Sequence, residues 1–210
     1  NFYNYMNHFG IGHLSGIDLA YENPGRLKMP GDSDWYEADL GTNAFGQGVS
    51  ATPLQMASAV TALANDGKII TPHVVYATIT KDHQTVAETP VISAPIRPET
   101  ARTITEMLAT SLEIEASDAL VTGYRVAGKT GTAEIPSRQG YVAGQTNASF
   151  AGWGPVDDPK FIVYIWLEKP QSSIWSSVVA APVFSEIVEN LVILMDIPPD
   201  KIRMEMASSQ

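Results

Sequence analysis

Apolar residues recur at helical spacing in four stretches of this 210-residue chain and give way to strand-like runs between them. Phe2, Tyr5 and Phe9 share one face of a helix predicted over residues 2–9 and stopped by Gly10 and Gly12. Leu54, Ala57, Val60 and Leu63-Ala64 predict a second over 51–65, with Thr52 as N-cap, Pro53 at the first helical position and Gly67 closing it. Ile104, Met107, Leu108 and Leu112 mark a third over 98–112, and a fourth spans 180–195. Residues 15–37, rich in Gly, Pro and Asp, read as loop.

Strand character appears at 73–80, in Val74, Val75, Tyr76 and Ile79, with a turn at 81–84 and a return strand at 86–92. Three more strands are predicted over 125–134, 148–154 and 161–168. The last two are joined by Pro155-Val156-Asp157-Asp158-Pro159, a link short enough for an antiparallel pair. The fold class is therefore α/β of the α+β type: an antiparallel β-sheet covered by helices. One domain is expected over 1–197, followed by a loose C-terminal tail over 198–210 after Pro198-Pro199.

Composition narrows the function. The formal charge of −10 lacks the basic footprint of a nucleic-acid binder, so no nucleic acid is expected as partner. There is no cysteine, so disulfides, thiolate metal sites and cysteine nucleophiles are excluded within these residues. That suits an extracytoplasmic enzyme. No uninterrupted apolar run approaches the ~18 residues that span a bilayer. The stretch around 187–195 is broken by Glu186, Glu189 and Asn190 and reads as a buried amphipathic helix.

The chemistry concentrates in Val126-Ala127-Gly128-Lys129-Thr130-Gly131-Thr132-Ala133-Glu134. Small and polar residues alternate here on a strand that a ligand can approach closely. Lys129 supplies an ammonium to anchor a carboxylate and to lower the pKa of a nearby hydroxyl. Thr130 and Thr132 supply hydroxyls, and the Thr132 N–H is a candidate oxyanion-hole donor. No Ser-x-x-Lys and no Ser-x-Asn occurs in the 210 residues, so the run reads as half of an active site.

This run resembles the Lys-Thr-Gly signature of penicillin-binding proteins. Further blocks agree in order: Phe45-Gly46-Gln47-Gly48 with Ala51 to Ala57, Ala64-Asn65-Asp66-Gly67, Pro72-His73-Val74-Val75, Ser149 to Pro155, and Ala181 to Ile187. Together they resemble the C-terminal portion of the transpeptidase domain of class B, high-molecular-weight members. The resemblance implies a β-lactamase/transpeptidase-like fold, here incomplete. It implies a D,D-transpeptidase that cross-links peptidoglycan stem peptides ending in D-Ala–D-Ala through a serine acyl-enzyme and binds β-lactams. Carried over by position, Lys129 and Thr130 are catalytic, binding the substrate carboxylate and organising the proton relay. Gly131, Thr132 and Ala133 form the substrate-binding stretch. No cofactor and no metal is implied. Cell-wall synthesis proteins are implied as partners, with an extracytoplasmic location and a membrane anchor on an unseen N-terminal segment.

The departures carry expectations too. In the family the nucleophile precedes the matched region, so residues 1–210 are read as a truncated piece, inactive alone and either less stable than the whole domain or oligomeric. Residues 113–120 stand where the family often has a Gly-Thr-rich stretch. The rivals are a serine β-lactamase or β-lactam sensor domain, against which the 45–57 and 181–187 blocks argue, and a degenerate partner-binding module.

Other candidates are weaker. Thr78-Ile79-Thr80-Lys81 has nucleophile spacing with Thr for Ser but falls in a strand-like segment. His8, His13, His73 and His83 show no metal spacing. Asp32, Asp34, Glu37 and Asp39 form an acidic loop run without the EF-hand pattern. Gly46-Gln47-Gly48 lacks the Gly-Lys-Ser/Thr of a phosphate loop and reads as a tight turn. Trp153 is the one aromatic considered for a groove wall; the rest read as core or rim.

Overall fold

The computed structural model describes residues 1–137 and 140–208, in two compact units, Asn1–Ala101 and Arg102–Gln210. In the first unit α1 (Phe2–His8), α2 (Glu37–Ala44) and α3 (Pro53–Ala64) precede four short strands. These are β1 (Ile69–Ile70), β2 (Ala77–Ile79), β3 (Gln84–Val86) and β4 (Val91–Ser93). The expected return strand over 86–92 divides. Its start closes a β2–β3 hairpin with Ala77 opposite Val86, while β4 pairs antiparallel with β1, Ile69 facing Ser93. Pro90 lies between the two, where proline is confined to strand ends and edges.

α3 begins as its sequence predicts. The Thr52 hydroxyl accepts the Gln55 N–H at 3.1 Å and the Gln55 Oε1 accepts the Thr52 N–H at 2.9 Å, a reciprocal cap with Pro53 at the first turn. Gly67 is required just beyond it: its φ is +83°, and a Cβ would sit 2.0 Å from the Ile96 carbonyl oxygen. The acidic run is not all loop. Glu37 and Asp39 occupy the first turn of α2, where carboxylates complement the helix dipole, and the Asp39 carboxylate accepts the Tyr36 N–H at 2.8 Å. Asp34 instead forms a bidentate pair with Arg26 at 2.8–2.9 Å.

In the second unit α4 (Pro98–Glu115, beginning in the first unit) precedes β5 (Ala127–Ser137), β6 (Gly140–Gly154) and β7 (Phe161–Glu168). They form one antiparallel sheet in the order β5-β6-β7. α5 (Ser176–Val179), α6 (Ala181–Leu194) and α7 (Asp200–Ser208) follow. Phe184, Val188 and Val192 of α6 pack with Phe150 and Ile165 of the sheet and with Val126, just before β5, in one buried cluster. The Phe150 and Phe184 rings are 4.8 Å apart, and Gly152 leaves room for them: a Cβ there would meet Phe184 at 2.4 Å. The stretch Ser176–Leu194 is long and apolar enough to cross a membrane by length and composition, with a mean hydropathy of 1.7. Its charged positions do not prevent that, contrary to the expectation from sequence. Its Phe184, Val188 and Val192 stripe is nonetheless buried on the sheet.

The tail departs from expectation. Residues 200–208 are helical, and the chain before and within α7 is tied down. The Tyr124 hydroxyl donates to the Ile197 carbonyl at 2.7 Å and the Arg125 N–H to the Asp200 carboxylate at 2.6 Å. Arg203 pairs with Asp200 at 2.9 Å and with Asp157. Pro198-Pro199 therefore leads into a helix with Asp200 in its first turn, a favourable start.

Candidate active site

β5 carries Lys129 to Ala133 on the outer strand of its sheet, with β6 on one side and no strand on the other among the described residues. Lys129 faces Ala151, Thr130 faces Phe150, Gly131 faces Ser149, Thr132 faces Ala148 and Ala133 faces Asn147. Successive side chains alternate between the faces of a strand. Thr130 and Thr132 thus share the face of Phe150, where α6 packs, and Lys129 and Gly131 share the other.

Two glycines shape the strand. A Cβ at Gly128 would meet the Ala151 carbonyl oxygen and the Phe150 ring, each at 2.8 Å. A Cβ at Gly131 would meet the Ser149 Oγ at 2.6 Å. Gly128 is demanded by packing against the backbone inside the sheet, whereas a side chain at Gly131 would first have to turn the Ser149 hydroxyl away from the Gly131 carbonyl.

Lys129 is exposed, and its Nζ donates to Oγ1 and the carbonyl of Thr130 at 3.2 and 3.4 Å. Among the described residues no carboxylate pairs with it. Its charge is thus uncompensated beside an open strand edge, the arrangement that receives an anion.

Behind the strand lies a hydroxyl cluster that sequence reasoning missed. Ser176, at the start of α5 and 1% exposed, bonds the Gly131 carbonyl at 2.6 Å, the Thr132 Oγ1 at 2.6 Å and the Ser149 N–H at 3.3 Å. Its own N–H donates to the Thr132 Oγ1 at 3.3 Å, and the Ser149 hydroxyl donates to the Gly131 carbonyl at 3.2 Å. Burial pushes the Tyr164 phenol above its ordinary pKa, and a hydrogen bond with Ser149 offsets part of that shift. Ser149 lay within a matched block, but Ser176 is more than forty residues from Thr132 and carries no local pattern.

The other sequence candidates stay apart. Trp153 is 1% exposed and so is core, not a groove wall. Thr78 and Ile79 lie in β2, a strand and not a helix start. Residues 113–120 end α4 and form a short 3-10 turn, with Ala116 and Ala119 buried.

Residues 1–189 match the family model described as the penicillin binding protein transpeptidase domain. The chain belongs to this family. It is 34% identical over 215 residues to stage V sporulation protein D of Bacillus subtilis (strain 168), covering 97% of this chain and 32% of the relative. It is 30% identical to the peptidoglycan D,D-transpeptidase FtsI of Escherichia coli (strain K12), covering 92% of this chain and 32% of that one. Among solved structures, penicillin binding protein 3 of Mycobacterium tuberculosis complexed with ampicillin superposes with a TM-score of 0.83 at 29% identity. That match covers 94% of this chain and 46% of the solved chain. The chain thus spans about a third of the length of these two curated relatives. The antiparallel sheet covered by helices is the fold expected from sequence.

Proposed function

We propose that the Lys129 strand is the carboxylate-binding wall of a serine D,D-transpeptidase that cross-links peptidoglycan stem peptides and is acylated by β-lactams. The observation that carries the reading is Lys129: an exposed ammonium with no carboxylate partner among the described residues, next to the Thr130 hydroxyl on an open strand edge. Lys129 and Thr130 hold the carboxylate of a D-Ala–D-Ala terminus or of a β-lactam and order the proton relay. Gly131, Thr132 and Ala133 line the strand along which it lies, and the Thr132 N–H donates to the developing oxyanion.

With no Ser-x-x-Lys in residues 1–210, the acyl-enzyme serine comes from chain outside them, and residues 1–210 alone are inactive. The whole protein works outside the cytoplasm, anchored to the membrane, with other cell-wall synthesis proteins as partners. The relatives' names, one of them a peptidoglycan D,D-transpeptidase, support this reading.

The test is labelling with a fluorescent penicillin. The full-length protein is expected to form a covalent adduct and residues 1–210 none. Lys129→Ala in the full-length protein should slow acylation by at least a hundredfold, the scale seen when a preorganised charged or oxyanion donor is lost. A full-length protein that no penicillin labels, or a Lys129→Ala variant labelled at the wild-type rate, refutes the proposal.

A further inference from the structure

The hydroxyl hydrogens in the cluster behind β5 run in one direction. A serine or threonine hydroxyl has one hydrogen to give. The Gly131 carbonyl can only accept, so the Ser176 hydroxyl, 2.6 Å away, spends its hydrogen there. The 2.6 Å contact between Ser176 Oγ and Thr132 Oγ1 must then carry the hydrogen of Thr132. The Ser176 N–H closes the loop by donating back to the Thr132 Oγ1 at 3.3 Å. Thr132 thus has its oxygen fixed and its hydroxyl directed by one buried residue, although Thr132 itself is exposed on the strand. Gly131 differs, because its carbonyl keeps a second donor in the Ser149 hydroxyl.

We propose that Ser176 is a positioning residue that holds the Thr132 side chain in its ligand-binding rotamer, so that the hydroxyl needs only a rotation about its C–O bond to reach a bound carboxylate. The inference rests on the transpeptidase reading, in which Thr132 lines the substrate strand. A side chain pinned at its oxygen loses little entropy when a ligand arrives, whereas a free threonine must first be ordered. Because Ser176 acts through Thr132, its effect depends on Thr132 being present and on the ligand having an anionic carboxylate.

The experiment is done on the full-length protein, measuring second-order acylation by a fluorescent penicillin and by an analogue with its carboxylate replaced by hydrogen. Ser176→Ala should slow acylation by the penicillin about fivefold, the equivalent of one neutral hydrogen bond. It should slow acylation by the decarboxylated analogue less than twofold. In a Thr132→Ala background, Ser176→Ala should also change the penicillin rate less than twofold, and Ser176→Thr in the otherwise wild-type protein should restore most of the loss. If Ser176→Ala does not fold, Ser176→Cys, which fills the site with a weak donor, should reproduce the selective loss at an unchanged melting temperature.

Equal losses for both ligands, additivity with Thr132→Ala, or a wild-type rate in the variants overturns the positioning role while leaving the transpeptidase reading intact. A wild-type protein that neither ligand acylates overturns both.

Discussion

The two units of the chain are held together by different physics. Among the described residues the second unit has eighteen buried hydrophobic residues and the first has five. The second is organised as a continuous sheet with the aromatic pair Phe150–Phe184 at its centre. The first has strands of two or three residues. Its order comes from polar clasps. Gln55, 2% exposed, donates to the carbonyls of His13 and Pro24 at 2.7 Å each, and the Tyr3 hydroxyl accepts from Trp35 and Asn43 at 2.8 and 3.2 Å. The candidate catalytic strand lies in the apolar unit, where geometry is set by close packing. Precision at Lys129 to Thr132 is thus underwritten by a packed apolar core together with the Ser176 hydroxyl cluster, whereas the first unit's loops depend on side-chain hydrogen bonds with little apolar core beneath them.

The contrast is sharpest where the core is thickest. Phe184→Ala removes a fully buried ring from beside Phe150 and Gly152 and should destabilise the second unit by about 3–5 kcal/mol in denaturant melts. Tyr76→Ala, at an exposed ring in the first unit, should shift stability by less than about 0.5 kcal/mol. Equal losses at the two sites would erase the distinction between the units.

The polar unit has its own weak point of intermediate size. Gln55→Ala removes the donor to the His13 and Pro24 carbonyls and the acceptor of the Thr52 N–H and should cost about 1–3 kcal/mol. Gln55→Glu separates shape from hydrogen bonding. It keeps the acceptor for Thr52 but loses both donors, and should cost at least as much as the alanine, because it sets a carboxylate against carbonyl oxygens. A neutral result for Gln55→Glu would mean that the clasp contributes nothing.

The same division explains what was legible in the sequence. Where a local pattern carries the information, expectation and structure agree at several elements, though the strand expected over 73–80 is one only over Ala77–Ile79, and Val74, Val75 and Tyr76 lie outside it. Thr52, Pro53 and Gln55 cap α3 as read, and the runs ending at Gly154 and Glu168 pair as β6 and β7. Lys129 to Ala133 lie within the expected strand. What failed depends on contacts distant in sequence. α7 is fixed by Arg125 and Tyr124, some 75 residues away, so its own sequence reads as loose tail. β4 pairs with β1 across the chain and not with its neighbour in sequence. α2 contains Gly41 and only Leu40 as a large apolar residue, and the polar Asn43 is its buried position, so no apolar stripe announces it. Ser176 was invisible for the same reason: its partners Gly131, Thr132 and Ser149 lie on other strands.

The smallest expected effect belongs to the most exposed clasp. The Asp18 carboxylate accepts the N–H groups of Val74 and Val75, each at 2.8 Å, and these bonds hold its pKa below the ordinary aspartate value, with His73 nearby adding to the effect. A carboxyl whose folded pKa is depressed binds protons less readily folded than unfolded. Its contribution is therefore complete above the ordinary aspartate value and fades as pH falls through the lower, folded value. At neutral pH the clasp is intact, and only strongly acidic solution releases it. Hydrogen-exchange protection at Val74 and Val75 should hold steady from neutral pH down to the ordinary aspartate range and drop below it. Asp18→Ala should lack that protection at every pH, while amides of β6 behave alike in both proteins. Protection in the wild type that does not change with acid, or survives Asp18→Ala, would mean that the segment from Val74 is ordered by its own backbone and that the first unit depends less on polar side chains than its architecture implies.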